Sequence, residues 1–117
     1  MEFPLLGRLD VCMAVADLPA AKGFYETLGF ARAEGDDGEG WAVMVRGSAR
    51  IGLYKGHITE TNLNFRGGHI GELLAAAREK GLPVEKVVEH SDPHCGSFTV
   101  RDPDGNVVFF DTAPEEI

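Results

Sequence analysis

The chain has 117 residues, 44% of them hydrophobic, which suits one domain with a workable core and excludes a disordered tail. With 11 Lys and Arg against 19 Asp and Glu, the formal net charge is −8. That is the wrong sign for a phosphate-backbone partner and a favourable one for a cationic ligand, although solubility alone also explains it.

Leu9 to Val15 reads as the opening strand, with Leu9, Val11, Met13 and Val15 on one face and Asp10, Cys12 and Ala14 on the other. Asp17-Leu-Pro starts a helix, capped by the Asp and with Pro19 in its first turn. Ala21, Phe24, Tyr25 and Leu28 form its apolar stripe, and Gly29 ends it. A short strand over Phe30–Ala33 precedes a turn-forming loop from Glu34 to Gly40. Trp41–Arg46 and Arg50–Tyr54 then read as a hairpin around Gly47-Ser48-Ala49.

Lys55 to Glu60 is the junction to a second opening strand, Asn62–Arg66. Gly67-Gly68 leads into a helix from about His69 to Lys80, with Ile70, Leu73, Leu74 and Ala77 inward, Gly81 as its stop and Pro83 beyond. Val84–Val88, Gly96–Val100 and Asn106–Asp111 are the last three strands, and Asp104-Gly105 is the turn signal between the final two. Ala113 to Ile117 reads as a loose tail.

The order is therefore strand, helix and three strands, twice over, in modules of about 8–57 and 60–113 within one domain. Two pseudo-equivalent walls around one cleft are expected. No apolar run approaches the roughly 20 residues of a membrane span. The N-terminus lacks the basic start and long apolar stretch of a signal peptide, so no membrane partner and a cytoplasmic location are expected. Cys12 and Cys95 form no CxxC pair and read as free thiols.

Val15-Ala-Asp17 followed by Phe24-Tyr25 and Leu28-Gly29-Phe30, together with Asp102-Pro-Asp-Gly-Asn106 near the end, resembles the vicinal oxygen chelate superfamily. That superfamily includes glyoxalase I, extradiol dioxygenases, and fosfomycin- and bleomycin-resistance proteins. The resemblance covers nearly the whole chain. It implies an α+β fold in which two βαβββ modules form a cup-shaped mixed sheet, and a homodimer in which a second subunit completes the cleft. It says less about chemistry, because one scaffold hosts several activities.

Metal-dependent members carry ligands on the opening and closing strands of the modules. Carried over by motif, those positions fall on Asp10, Gly52, Asn62 and Phe109. Gly52 and Phe109 have no ligating side chain and Asn62 is a weak neutral ligand, whereas a catalytic divalent ion wants about three ligands of His, carboxylate or thiolate type. The resemblance thus implies no metal site here and no cofactor.

Strand alternation from Asp10 places Cys12 beside it on the cleft wall, with Arg50, Gly52 and Tyr54 on the fourth strand, Asn62, Asn64 and Arg66 on the second opening strand, and Val107, Phe109 and Asp111 on the last. Trp41 or Met44 reaches the same wall, according to the phase of the third strand. Such an aromatic, amide-rich wall fits an organic ligand held by stacking and hydrogen bonds. Simpler readings stand beside this one. Phe109 serves equally as core filler, Trp41 as an interface residue, and Asn62 and Asn64 as partners of each other or of the backbone. Arg50 and Arg66 serve as internal ion-pair partners of Asp10 or Asp111. His94-Cys95 points to opposite faces and makes no nucleophile and base, and His57, His69 and His90 read as surface residues.

The expected function is that of a metal-free small-molecule binding protein similar to the bleomycin-resistance branch, sequestering an organic, cationic ligand in a dimer cleft, with no catalytic residue assigned. The alternatives are a metal-dependent glyoxalase-type lyase or dioxygenase, which needs ligands such as His57 or His94 beside Asp10, and a metal-independent enzyme using Asp10 as general base.

Overall fold

A computed structural model describes residues 3–116. The elements run β1 (Gly7–Ala14), α1 (Leu18–Thr27), β2 (Ala31–Asp36), β3 (Trp41–Arg46), β4 (Ala49–Tyr54), β5 (Asn62–Gly67), α2 (Ile70–Glu79), β6 (Glu85–Glu89), β7 (Gly96–Arg101) and β8 (Val107–Thr112), followed by a 3-10 turn, Pro114–Glu116. This is the βαβββ plan twice in an α+β fold. By their contacts the described residues form two units, one of Asp10–Asn62 and one of the segments before and after it.

In the first unit the strand order is β2-β3-β4-β1. β3 is antiparallel to both β2 and β4, while β1 runs parallel to β4 with Cys12 opposite Gly52 and Ala14 opposite Tyr54. Asp17 caps α1 by accepting a hydrogen bond from the Ala20 amide, as its sequence position requires. Leu18, Ala42, Met44 and Leu53 form the buried centre, and Met13, Val15, Ala21, Tyr25, Phe30 and Ile51 pack around it. The phase of β3 is thereby settled: Met44 belongs to the helix side, and Trp41, Val43 and Val45 face the other way.

The second unit repeats this with order β5-β8-β7-β6. Ile70, Leu73, Leu74 and Ala77 on α2 meet Phe98, Val100 and Phe110 from the sheet. Phe65, Phe110 and Phe98 stack in series, with ring centroids 5.5 and 4.8 Å apart. The 3.6-residue spacing of the four aliphatic residues on α2 forecasts which face of the helix turns inward.

Three expectations need correction. The apolar stripe on α1 is only partly covered: Ala21 and Tyr25 pack inward, but Phe24 is 60% exposed and Leu28 47%. The segment Glu34–Asp36 is strand, not loop, because a register shift between Arg32 and Glu34 lets β2 continue to pair with β3. Gly35 makes this pairing close, since a Cβ there would come 2.7 Å from the Ala42 backbone. The tail is not loose either: a Glu116 carboxylate oxygen accepts from the Ala113 amide at 2.9 Å and meets the Arg66 guanidinium at 3.3 Å. Ile117 lies outside the described residues, as do Met1 and Glu2 from the stretch read for a signal peptide.

Candidate functional site

In the first unit, the sheet face away from α1 carries the polar and aromatic side chains. Antiparallel pairing sets Trp41 opposite Tyr54 and Val43 opposite Gly52, and parallel pairing sets Ala14 beside Tyr54 and Cys12 beside Gly52. Asp10, Cys12, Arg50, Tyr54 and Trp41 therefore share one face, as alternation from Asp10 requires.

Asp10 is 2% exposed, and burial of a carboxylate demands compensation. Arg50 supplies it, with its Nε 3.2 Å from both Asp10 oxygens. The same guanidinium reaches Glu34 through Nη2 at 3.0 Å. Glu34 escaped the sequence reading because its orientation depends on the bulge in β2. Arg32 pairs with Met44 on the helix side, and regular alternation would send Glu34 there too. The register shift instead pairs Glu34 with Val43 and turns it toward Arg50.

Trp41 and Tyr54 lie as near-parallel rings, 9° apart with centroids separated by 6.3 Å, and His57 meets Tyr54 edge-on at 6.2 Å. His57 is exposed, as the sequence reading expects, and is held by the Glu39 carbonyl at the edge of the aromatic pair. Tyr54 also folds back over Gly52: a Cβ added there would sit 2.6 Å from the Tyr54 ring and 3.2 Å from its hydroxyl oxygen. Glycine at this position makes room for the ring.

In the second unit the face away from α2 holds a hydrogen-bonded cluster. Asn64 donates through Nδ2 to Asp111 Oδ1 at 2.8 Å and to the Phe109 carbonyl at 3.3 Å. Arg66 lies between two carboxylates, 3.6 Å from Asp111 and 3.3 Å from Glu116. Phe109 stands opposite Thr99, half-buried and outside the helix-side core. Both arginines are therefore internal ion-pair partners. Asn62, on the same face of β5 as Asn64, is buried, and its Oδ1 has no hydrogen-bond partner among the described residues.

Cys12 and Cys95 are both buried thiols outside any disulfide. Burial, followed by the charge of Asp92, pushes the Cys95 thiol above its ordinary value, the opposite of an activated nucleophile. His94 lies beside His69, ring centroids 4.8 Å apart, and His69 caps α2 by accepting from the Glu72 amide. His69 is thus a structural cap rather than a plain surface residue.

The residues do not fit a divalent ion at the carried-over positions. The Asp10 carboxylate is already engaged by a guanidinium, whose positive charge opposes a second cation. Gly52 lies under Tyr54, and Phe109 offers no donor. Among the described residues no group of three or more His, Cys, Asp or Glu side chains is placed to hold a metal.

A family model described as the Glyoxalase/Bleomycin resistance protein/Dioxygenase superfamily matches residues 8–110. No similar sequence was found among curated proteins. Among solved structures, one described as an NAD-dependent benzaldehyde dehydrogenase from Legionella pneumophila has a TM-score of 0.74 at 18% identity, over 89% of this chain and 97% of that one. A glyoxalase/bleomycin resistance protein/dioxygenase superfamily member from Vibrio splendidus 12B01 has a TM-score of 0.68 at 17% identity, over 91% and 98%. An extradiol ring-cleaving dioxygenase from B. fuscum has a TM-score of 0.61 at 21% identity, over 93% of this chain and 33% of the dioxygenase. At these identities the likeness is one of fold.

Proposed function

Since this chain belongs to the glyoxalase/bleomycin resistance protein/dioxygenase superfamily, we propose that it is a metal-free binding protein that sequesters a small organic cation in the cleft of a homodimer, in the manner of an antibiotic-resistance protein. The observation that carries this reading is the first-unit face, where the Asp10–Arg50 ion pair stands at a position that metal-dependent relatives give to a ligand and the half-buried Trp41 and Tyr54 rings occupy the other end of the same strands. The rings supply stacking and cation–π surface. The net charge of −8 draws a cation toward it. On this reading Asp10, Cys12, Trp41, Arg50 and Tyr54 contact the ligand from the first unit, and Asn62, Asn64, Arg66, Phe109 and Asp111 are the further contacts it requires. Sequestration requires no bond to change, and no residue is given a catalytic role.

Among the described residues no helix is long and apolar enough to cross a membrane, and the reading places the protein in the cytoplasm. Two measurements test it. The first is metal content by elemental analysis after incubation with zinc, nickel, manganese and iron(II) and then desalting. The expected result is no stoichiometric metal; about one ion retained per chain would overturn the reading in favour of a metal-dependent lyase or dioxygenase. The second uses Trp41, the one tryptophan of the sequence, as a reporter. Aromatic cations and peptide antibiotics are expected to change its fluorescence saturably, with one ligand per cleft of a dimer in light scattering.

A further inference from the structure

Gly52 stands inside β4, where a glycine packs nothing and weakens the strand unless something else needs the space. On the first-unit face it lies between Val43 of β3 and Cys12 of β1, which are 1% and 6% exposed. Together the three make a low, apolar floor. What lies on that floor is the tip of one side chain: the three heavy atoms nearest to a Cβ added at Gly52 are Cε2, Oη and Cζ of Tyr54. Gly35 differs in kind. There the close neighbours are the backbone atoms of Trp41 and Ala42, which strand pairing holds in place. At Gly52 the neighbour is a ring that side-chain torsions can carry away. Tyr54 is the last residue of β4 and only half-buried, so its ring is partly open to solvent.

Resting on the binding reading above, we propose that the place over Gly52 is the ligand's ring subsite, that the Tyr54 phenol fills it in the free protein, and that Tyr54 turns aside to admit a planar aromatic ring. Trp41, whose ring lies 9° from parallel with that of Tyr54, stays as the wall, and Tyr54 is the moving part. The ligand class is thereby narrowed to cations that carry a flat ring of about the size of a phenol, because a phenol is what the space holds. A ligand ring that takes the place of Tyr54 restores the apolar cover of the floor, so the exchange sacrifices little burial. A puckered, saturated ring is thicker than an aromatic one and loses that fit. The apparent affinity is the intrinsic one reduced by the fraction of molecules in which the ring has moved, so deleting the ring removes the reduction. A fixed ring acts in the opposite sense: the ligand would stack on Tyr54 from outside, and deleting the ring would cost affinity.

The test measures phenethylammonium and its ring-saturated analogue, cyclohexylethylammonium, on the intact protein by Trp41 fluorescence and calorimetry. The two share charge and chain length and differ in the flatness of the ring. The native protein should prefer the flat ring by roughly tenfold. Tyr54→Ala should bind phenethylammonium at least as tightly as the native protein does. Gly52→Ala puts a methyl group into the subsite and should weaken that binding by about tenfold or more and abolish the preference. Weaker binding by Tyr54→Ala, unchanged binding by Gly52→Ala, or equal affinity of the native protein for the two cations would make Tyr54 a fixed wall. Each of these overturns the proposal and leaves the binding reading standing. If Gly52→Ala fails to fold while Gly52→Ala/Tyr54→Ala folds, the ring cannot leave its place and the proposal falls. If neither folds, the space over Gly52 does not belong to Tyr54 alone, and the proposal falls as well. Binding of neither cation by the native protein or by Tyr54→Ala at millimolar concentration would remove the binding reading and this inference with it.

Discussion

The two units share a plan of strand, helix and three strands, but they cover their helices to different degrees. In the second, α2 buries Ile70, Leu73, Leu74 and Ala77 against three sheet residues, two of them phenylalanines. In the first, α1 buries only Leu18 outright, and Phe24 and Leu28 remain in solvent. The polar faces differ in the opposite sense. The first unit buries a carboxylate–guanidinium pair on the face that also carries two aromatic rings, whereas the second spreads a more open cluster over Asn64, Arg66, Asp111 and Glu116. The comparison teaches that a repeated plan divides its labour: the second unit carries the denser core and the first the more demanding polar chemistry.

The largest test of that division is in the cores. Phe98 is fully buried and Phe24 mostly exposed. Phe98→Ala should cost about 4 kcal/mol by urea unfolding, while Phe24→Ala should stay within about 0.5 kcal/mol. Similar losses at the two positions would mean that α1 is covered in solution, as it would be by a partner subunit.

The next test is in the ion pairs. The Asp10 side chain is 3% exposed, and removing it leaves Arg50 with only the exposed Glu34. Asp10→Ala should therefore cost about 3 kcal/mol. Asp111 is 25% exposed, and Arg66 keeps Glu116 when it is removed, so Asp111→Ala should cost about 1 kcal/mol. Replacing Asp10 and Arg50 together by Leu and Met should recover most of the first loss, since no uncompensated charge then stays behind. Equal costs for the two single variants would erase the distinction between the faces.

The smallest test concerns two exposed turns. Asp37 is held below the usual carboxylate value, first by a hydrogen bond from Lys22. Asp102 is held below it too, first by the Asn106 side chain, with backbone amides of Asn106, Asp104 and Gly105 adding to this. A carboxyl depressed in the folded state contributes stability that is present above its unfolded value and lost as pH falls through the folded one. Both contributions should thus disappear on acidification. Salt separates them: the partner of Asp37 is a cation and is screened, while those of Asp102 are neutral. NMR titration with added salt should raise the Asp37 value toward normal and leave Asp102 in place.

The repeat was legible in sequence because periodicity of two and of 3.6 survives in the pattern of Leu9, Val11 and Met13 and of Ile70, Leu73 and Leu74. The shared face of Asp10, Cys12, Arg50 and Tyr54 was legible for the same reason. Glu34 was not, since one bulge reverses which face its side chain takes, and nothing local marks the extra residue. Glu116 was not, because a short acidic tail carries no periodic signal until Arg66 gives it a partner.

The sequence by itself determined the order of elements, the Asp17 helix cap and the missing donors at Gly52 and Phe109, all of which depend on residue type and spacing along the chain. Only the tertiary structure decided that the Asp10 charge is spent on Arg50, that Tyr54 lies over Gly52 and that the Asn62 oxygen has no donor among the described residues. Those are contacts between residues distant in sequence, and burial, which makes each of them costly or valuable, exists only once the strands have paired.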